Sequence, residues 1–286
     1  PGTIDWSSMT DEQRRYDARR MEVYAGMVDA MDFHIGRLMD YLKSIDEYEN
    51  TVFIFTSDNG AASSPLLDSD GNSVLKNWFD RVGYSTDYET LGEKGSWVAI
   101  GPGNASIANS PLLYYKFHAN EGGLRVPLIM SGPGITRHGE ITDEFTFVTD
   151  LAPTILNITG TTEHRGKFNG REVEPIVGVN FKDYLNGAVD QIHQSSESIG
   201  YELGGSNALF KGDYKIVINK IEQNEANWHL YNIKTDPGET TDLINEKPQL
   251  FAEMLSEYES WAEENNVLPM PQGYNRGRAI FRNGFN

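Results

Sequence analysis

Thr51-Val-Phe-Ile-Phe-Thr-Ser-Asp-Asn-Gly60 is the stretch on which the fold reading turns. Its first six residues are mainly β-branched or aromatic, with no apolar–polar alternation. That is the pattern of a strand buried on both faces, as in a parallel sheet. Ser57-Asp-Asn-Gly60 then closes the run. In open α/β sheets, ligands bind beyond the carboxyl ends of the strands. The carboxylate of Asp58 beside the amide oxygen of Asn59 would give such an end two hard donors suited to Ca²⁺ or Mg²⁺. Asp-Asn-Gly is equally a good turn, and the tripeptide alone leaves both readings open.

Upstream, Thr10-Asp-Glu-Gln13 fits a capping box, with Thr10 as N-cap and Gln13 reaching back. Apolar residues follow at Met21, Tyr24, Ala25, Val28, Met31, Ile35, Leu38, Leu42 and Ile45. The steps are mostly three and four, so one long amphipathic helix is expected to end near Ser44. A helix feeding an apolar strand is an α/β signature.

Downstream, residues 60–110 are rich in Gly, Ser and Asn and read as loop, with one short helix expected around 74–82. A loop region of that length is often functional. A second strand is expected at 126–130, closed by Ser131-Gly-Pro-Gly134. Residues 145–148 read as the end of a strand and 149–156 as a helix, with Asp150 near its start and Pro153 in its first turn. Residues 163–195 are polar and loop-like. Short strand-like runs follow at 199–203, 208–210, 214–218 and 228–233, broken by turns such as Lys211-Gly-Asp213. They suggest an antiparallel sheet. A last helix is expected over 248–265, with Leu250, Phe251, Met254, Leu255, Tyr258 and Trp261 on one face. The expected organisation is an α/β part over 1–195 and a small α+β part over 196–286.

The chain has 286 residues, 42 acidic and 24 basic, for a net charge of −18. A general nucleic-acid binder needs clustered Lys and Arg, so that class is disfavoured. Cysteine is absent. Disulfides, zinc thiolates, iron–sulfur ligation and thiol nucleophiles are therefore excluded from this chain. No apolar run approaches the roughly 18 residues of a membrane span. The opening Pro-Gly-Thr-Ile-Asp-Trp6 lacks an initiator Met and is no signal peptide, which fits a chain that begins inside a longer one or, as the alternative, a processed or trimmed N-terminus. Periplasmic, secreted and cytoplasmic locations are all compatible with this composition.

Further segments stand in order along the chain. Tyr24-Ala-Gly-Met-Val-Asp-Ala-Met-Asp32 precedes Ile35-Gly-Arg37. Lys116 stands five residues before Glu121-Gly-Gly-Leu-Arg-Val-Pro127. Thr149-Asp-Leu-Ala-Pro-Thr154 follows. Trp228-His-Leu-Tyr-Asn-Ile233 leads to Asp236-Pro-Gly-Glu239 and Asp242-Leu243. Together with residues 51–60, this series resembles the C-terminal portion of a bacterial type I arylsulfatase, a formylglycine-dependent enzyme of the alkaline-phosphatase-like superfamily. The resemblance implies part of that superfamily's α/β/α sandwich, followed by a small C-terminal α+β subdomain with an antiparallel sheet and a packed helix. It implies Ca²⁺, ahead of Mg²⁺, on Asp58 and Asn59, and a sulfate oxygen on Lys116. It implies hydrolysis of sulfate esters, aryl ones among them.

One departure matters. The family's nucleophile lies in Cys/Ser-x-Pro-x-Arg, but Ser63-Ser-Pro65 and Ser131-Gly-Pro133 are followed by Leu67 and Ile135 where Arg belongs. The family's N-terminal Asp-Asp ligands and its Lys-x-His and His residues have no match either. The formylglycine is therefore expected in an N-terminal portion of the same sulfatase, either missing or present as a separate partner chain, and this chain alone is expected to be inactive. By the same resemblance, a His from that portion would assist the leaving group. Arg125 is expected to tie down the Glu121 loop, and His118 to serve at the surface or behind the site. Trp78, Phe79, Tyr84, Tyr88 and Trp97 either meet an aromatic leaving group or, as preferred, pack the 60–110 insert. Two alternatives remain at this level. One is a phosphonate monoester hydrolase or phosphodiesterase of the same superfamily. The other is a non-catalytic sulfatase-like binding module.

Overall fold

Thr10 caps the first helix reciprocally. Gln13 N–H donates to Thr10 Oγ1 at 3.2 Å, and Thr10 N–H donates to Gln13 Oε1 at 2.8 Å. A computed structural model of the chain describes residues 3–64, 78–79, 81–162, 166–219 and 227–271. Helix α1 runs Asp11–Ser44, ending where the periodicity stops. Strand β1 is Phe53–Thr56, helix α2 Gly101–Asn109, the single turn α3 Glu121–Leu124, and strand β2 Leu128–Ser131. Helix α4 follows at Val148–Ile158, then a small hairpin of β3, Lys167–Phe168, and β4, Arg171–Glu172. The turn α5 is Lys182–Leu185. Strands β5 Ser198–Leu203, β6 Ser206–Lys211, β7 Tyr214–Asn219 and β8 His229–Asn232 precede helix α6, Pro248–Glu264.

The chain gathers into two compact units. The first comprises Pro1–Tyr41, Ser57–Val126 and Ile199–Asn286. Its sheet has the order β5-β6-β7-β8, with β6–β7 and β7–β8 antiparallel. The hairpin between β6 and β7 is two residues long, and Gly212 takes the left-handed φ of 53° such a turn needs. Leu209, Ile216 and Leu230 pack one face of the sheet against Met254 and Tyr258 of α6. A second cluster joins Ile100, Ala105 and Tyr115 to Met21 and Tyr24 of α1 and to Ala61. The texture change read near residue 195 coincides with the start of β5.

The second unit comprises Leu42–Thr56 and Pro127–Ser198. Ile135, Phe181, Tyr184 and Leu185 form its core, with Val52, Leu128, Met130 and Leu151 against them. Among the described residues no helix is long and apolar enough to cross a membrane.

Five sequence expectations change. Strand β1 is not a buried parallel strand: it pairs antiparallel with β2, Phe53 opposite Ser131 and Thr56 opposite Leu128, and Phe55 and Thr56 are exposed. An all-apolar run fixes neither pairing direction nor final cover, so the sequence pattern could not decide either. Residues 101–109 are helical rather than loop: small residues carry little periodic signal, yet Ala105 is fully buried. No strand end forms over 145–148, where residues 145–147 are irregular and α4 begins at Val148, and Pro153 lies inside α4, past its first turn. The stretch 163–195 is not all loop, because α5 buries Tyr184 and Leu185. Of the short helix expected over 74–82, residues 78–79 and 81–82 are helical and the others lie outside the described residues, as do Pro65, Leu67 and the tail from 272.

Candidate functional site

Asp58 is exposed and Asn59 half-buried, directly after β1. The turn is held internally, with Ser57 Oγ donating to Asn59 O at 2.8 Å. Its exit is tied to the Lys116 loop by backbone. Gly60 N–H donates to Gly123 O at 3.0 Å, and Lys116 N–H donates to Ala61 O at 3.0 Å. The fit at Gly60 leaves no room: a Cβ there would lie 1.8 Å from Gly122 O. The structure thus places Asp58 and Asn59 on a segment hydrogen-bonded to the one carrying Lys116.

The Lys116 loop is folded tightly back on itself. Gly122 N–H donates to Leu113 O at 2.9 Å, and a Cβ on Gly122 would lie 2.2 Å from Tyr114 O. Only glycine allows this approach. Asn109, at the end of α2, joins the pieces: its Oδ1 accepts from Ala61 N, and its Nδ2 donates to Tyr114 O and Gly122 O. Tyr114 and Phe117 take left-handed backbone, φ 65° and 80°. Bulky residues there are strained and persist only where their surroundings over-determine them, a recurrent feature of functional loops. Lys116 is half-buried, its Nζ 5.5 Å from the Phe117 ring centroid. His118 is buried rather than at the surface, between the rings of Tyr114 and Tyr115, with Nδ1 2.9 Å from Tyr115 O.

Behind the loop sits a charged cluster. Lys215 Nζ donates to Glu121 Oε1 at 2.9 Å and pairs with Glu239 Oε1 at 2.8 Å. Glu239 Oε2 accepts from Glu121 N at 2.8 Å. Burial pulls the Lys215 pKa down, but the two carboxylates overcome it and hold the ammonium above its ordinary value. Burial pushes the Glu239 carboxyl up, partly offset by Lys215. Arg125 is exposed, 3.7 Å from Glu121 Oε2, in keeping with a role in fixing the loop. Glu121 and Glu239 stand in segments the sequence singles out. Lys215 shows only as a polar residue inside an apolar strand, and Asn109 carries no local signal.

The insert aromatics pack on one another. Trp78, Phe79, Tyr84 and Trp97 have ring centroids 5.0 to 6.0 Å apart. Arg15 of α1 covers the Tyr88 ring, and Tyr16 OH donates to Thr86 O. In the second unit, His193 Nε2 is 2.8 Å from Asp150 Oδ2 and its Nδ1 3.0 Å from Glu197 Oε2. Burial lowers the His193 pKa, but these two carboxylates outweigh it and raise the net value.

As a metal site, Asp58 and Asn59 have suitable chemistry and insufficient number. Ca²⁺ takes six to eight oxygens. Among the described residues, no three or more His, Asp or Glu gather as a ligand group. The oxygen pair fits a hard cation as a partial ligand set.

Comparison with known proteins agrees across the chain. The sequence family described as Sulfatase matches residues 4–161. The family described as N-sulphoglucosamine sulphohydrolase, C-terminal, matches residues 112–263. An uncharacterized sulfatase of Schizosaccharomyces pombe is 35% identical over 274 residues, covering 96% of this chain and 49% of that protein. An arylsulfatase of Klebsiella aerogenes is 36% identical over 177 residues, 62% of this chain and 37% of that protein. The crystal structure of Ps i-CgsB with k-i-k-neocarrahexaose superposes with a TM-score of 0.58 at 22% identity, covering 92% of this chain and 47% of that one. The chain thus has the mixed α/β architecture of this alkaline-phosphatase-like fold, and spans about half the length, or less, of the proteins it matches.

Proposed function

The chain belongs to the sulfatase family, and from that membership we propose that it carries the sulfate-binding part of a sulfate ester hydrolase. The observation that supports this most is the pair of backbone ties, Gly60 to Gly123 and Lys116 to Ala61, that joins the Asp58-Asn59 turn to the Lys116 loop. An oxygen-donor pair beside an ammonium suits a cation-bound tetrahedral oxyanion.

In this reading Asp58 contributes carboxylate oxygen and Asn59 amide oxygen to a divalent cation, Ca²⁺ before Mg²⁺. When bound, such a cation supplies Lewis acidity toward the sulfate oxygens. Lys116 donates to a sulfate oxygen and stabilises charge that grows as the sulfur–oxygen bond to the leaving alcohol or phenol breaks. The rigid Glu121–Gly123 backbone holds that ammonium in place, so little reorganisation accompanies the charge shift. The nucleophile, a formylglycine in this family, and the remaining cation ligands come from the N-terminal portion of the same sulfatase. This chain alone is then inactive. The apolar side chains α1 leaves exposed, Met27, Val28, Met31, Leu38 and Tyr41, support a covering partner.

An aryl sulfate is the first substrate to try, given the similarity to the Klebsiella arylsulfatase. The experiment is to assay this chain, alone and joined to the N-terminal portion, on matched aryl sulfate, phosphodiester and phosphonate monoester. Sulfate turnover by the joined form only is expected. Preferred turnover of the phosphorus esters would move the protein to another branch of the superfamily, and sulfate turnover by this chain alone would overturn the shared-site reading.

A further inference from the structure

We propose that Lys215 is a positioning residue that sets the Lys116 loop through Glu121; this rests on the reading of Lys116 as the sulfate-binding residue. Lys215 sits mid-sheet on β7, opposite Phe210 of β6 and Tyr231 of β8, and none of its side chain reaches solvent. Strand alternation puts it on the face carrying Val217 and Asn219, opposite the face where Ile216 packs with the α6 residues. That second face is a template for the Lys116 loop. Ser206 Oγ donates to Phe117 O at 2.8 Å. Asn219 Oδ1 accepts from Ala119 N at 2.8 Å, and Asn219 Nδ2 donates to Asn120 Oδ1 at 2.6 Å. Lys215 completes the series at Glu121. Four of the five residues directly after Lys116 are thus gripped in order by two strands.

Most of these grips are neutral, and Lys215 differs in being a buried charge. A hydrocarbon side chain would pack against a sheet without desolvating an ion, and neutral replacement of buried ion clusters is often tolerated by stability. What an ion cluster supplies is a single geometry. Lys215 draws Glu121 Oε1 inward, while Glu239 Oε2 takes the Glu121 N–H, so the first residue of α3 is fixed by side chain and backbone together. Glu239 pays for its position with left-handed backbone, φ 52°, at the end of the Asp236-Pro-Gly-Glu turn. The strained Tyr114 and Phe117 on either side of Lys116 need such over-determination. Release of Glu121 frees the Gly122–Gly123 backbone, and through the Gly123–Gly60 and Lys116–Ala61 bonds it shifts the ammonium relative to the Asp58 turn.

The test is a double-mutant cycle in the active enzyme that contains this chain, paired with amide hydrogen exchange. Lys215→Met is expected to lower aryl sulfate turnover by about 10², the scale of a displacement near 1 Å at a catalytic group. In a Lys116→Ala background the same change is expected to lower turnover no further, since Lys215 acts through Lys116. Exchange at the amides of Lys116, Gly122 and Gly123 is expected to speed by tenfold or more, with the β6–β7 ladder amides unchanged. Should Lys215→Met fail to fold, Glu121→Gln/Lys215→Met/Glu239→Gln removes the whole cluster without leaving a lone buried charge, and the same readouts apply. A further loss of turnover in the Lys116→Ala background, or ladder amides that speed as much as loop amides, overturns the proposal and leaves Lys215 a general stability residue. If Lys116→Ala itself leaves turnover intact, the Lys116 reading fails, and the exchange pattern alone then decides whether Lys215 sets the loop.

Discussion

Replacing Gly60 by Ala tests the join between the Asp58 turn and the Lys116 loop. The added Cβ would sit 1.8 Å from Gly122 O, while ordinary van der Waals contact begins near 3.4 Å. The two backbones must separate by about 1.6 Å, the difference between those distances. Gly122 has nowhere to retreat, because its own α-carbon faces Tyr114 O and Leu113 O. Two hydrogen bonds are then lost or stretched, Gly60 N–H to Gly123 O and Asn109 Nδ2 to Gly122 O. At about 1 kcal/mol each, with about 1–3 kcal/mol for overpacking, the expected loss is about 3–5 kcal/mol. At about 2–4 °C per kcal/mol for a chain this large, the melting temperature falls by roughly 6–20 °C. Gly26 is the control. Nothing lies within 4 Å of a Cβ there, and it sits mid-helix in α1. Gly26→Ala should gain about 0.5–1 kcal/mol. Differential scanning calorimetry on both variants, with turnover of the active enzyme, gives the answer. A Gly60→Ala melt within a degree of the parent, with normal turnover, would refute the close approach of the two segments.

His193 lies between two carboxylates, so both its nitrogens act as donors only when it is protonated. Its folded pKa is raised above the unfolded value of 6.5. Its stabilisation is therefore complete below pH 6.5 and fades as pH rises through the folded pKa. The melting gap between parent and His193→Gln should be widest at pH 5.5–6 and narrow toward pH 9; a gap that widens with pH would contradict this. Asp58→Ala should weaken Ca²⁺ binding to the assembled enzyme by tenfold or more in calorimetry, while the isolated chain binds Ca²⁺ weakly with or without Asp58. Tight, stoichiometric Ca²⁺ binding to the isolated chain would show that the site is not shared.

Local order is what the sequence discloses. The Thr10–Gln13 cap, the extent of α1, the β6–β7 hairpin and α6 all follow from interactions within a few residues, and each forms where the residues predict. Long-range features are less legible. The apolar run before Ser57 specifies a strand, but its antiparallel partner β2 comes some seventy residues later through a pairing no pattern announces. Helix α2 is hidden because Gly101, Pro102 and Gly103 at its start read as loop. At the candidate site, Asp58, Asn59 and Lys116 are visible as motif positions. The parts that join them are not. Asn109 is one unremarkable Asn, and the Lys215 cluster closes over separations of 94 and 118 residues. Those contacts depend on the sheet face meeting the loop, which only the folded chain supplies.

In the proposed function Lys116 stands at a sulfate ester. Lys116→Ala in the active enzyme, assayed on an aryl sulfate beside a thermal melt, tests it most directly. Loss of one preorganised donor at a centre of developing charge lowers turnover by about 10²–10³, whereas an exposed lysine without that role changes stability by less than about 0.5 kcal/mol and turnover not at all. Turnover is expected to fall by that factor with an unchanged melt. Near-normal turnover with an unchanged melt would remove Lys116 from the active site.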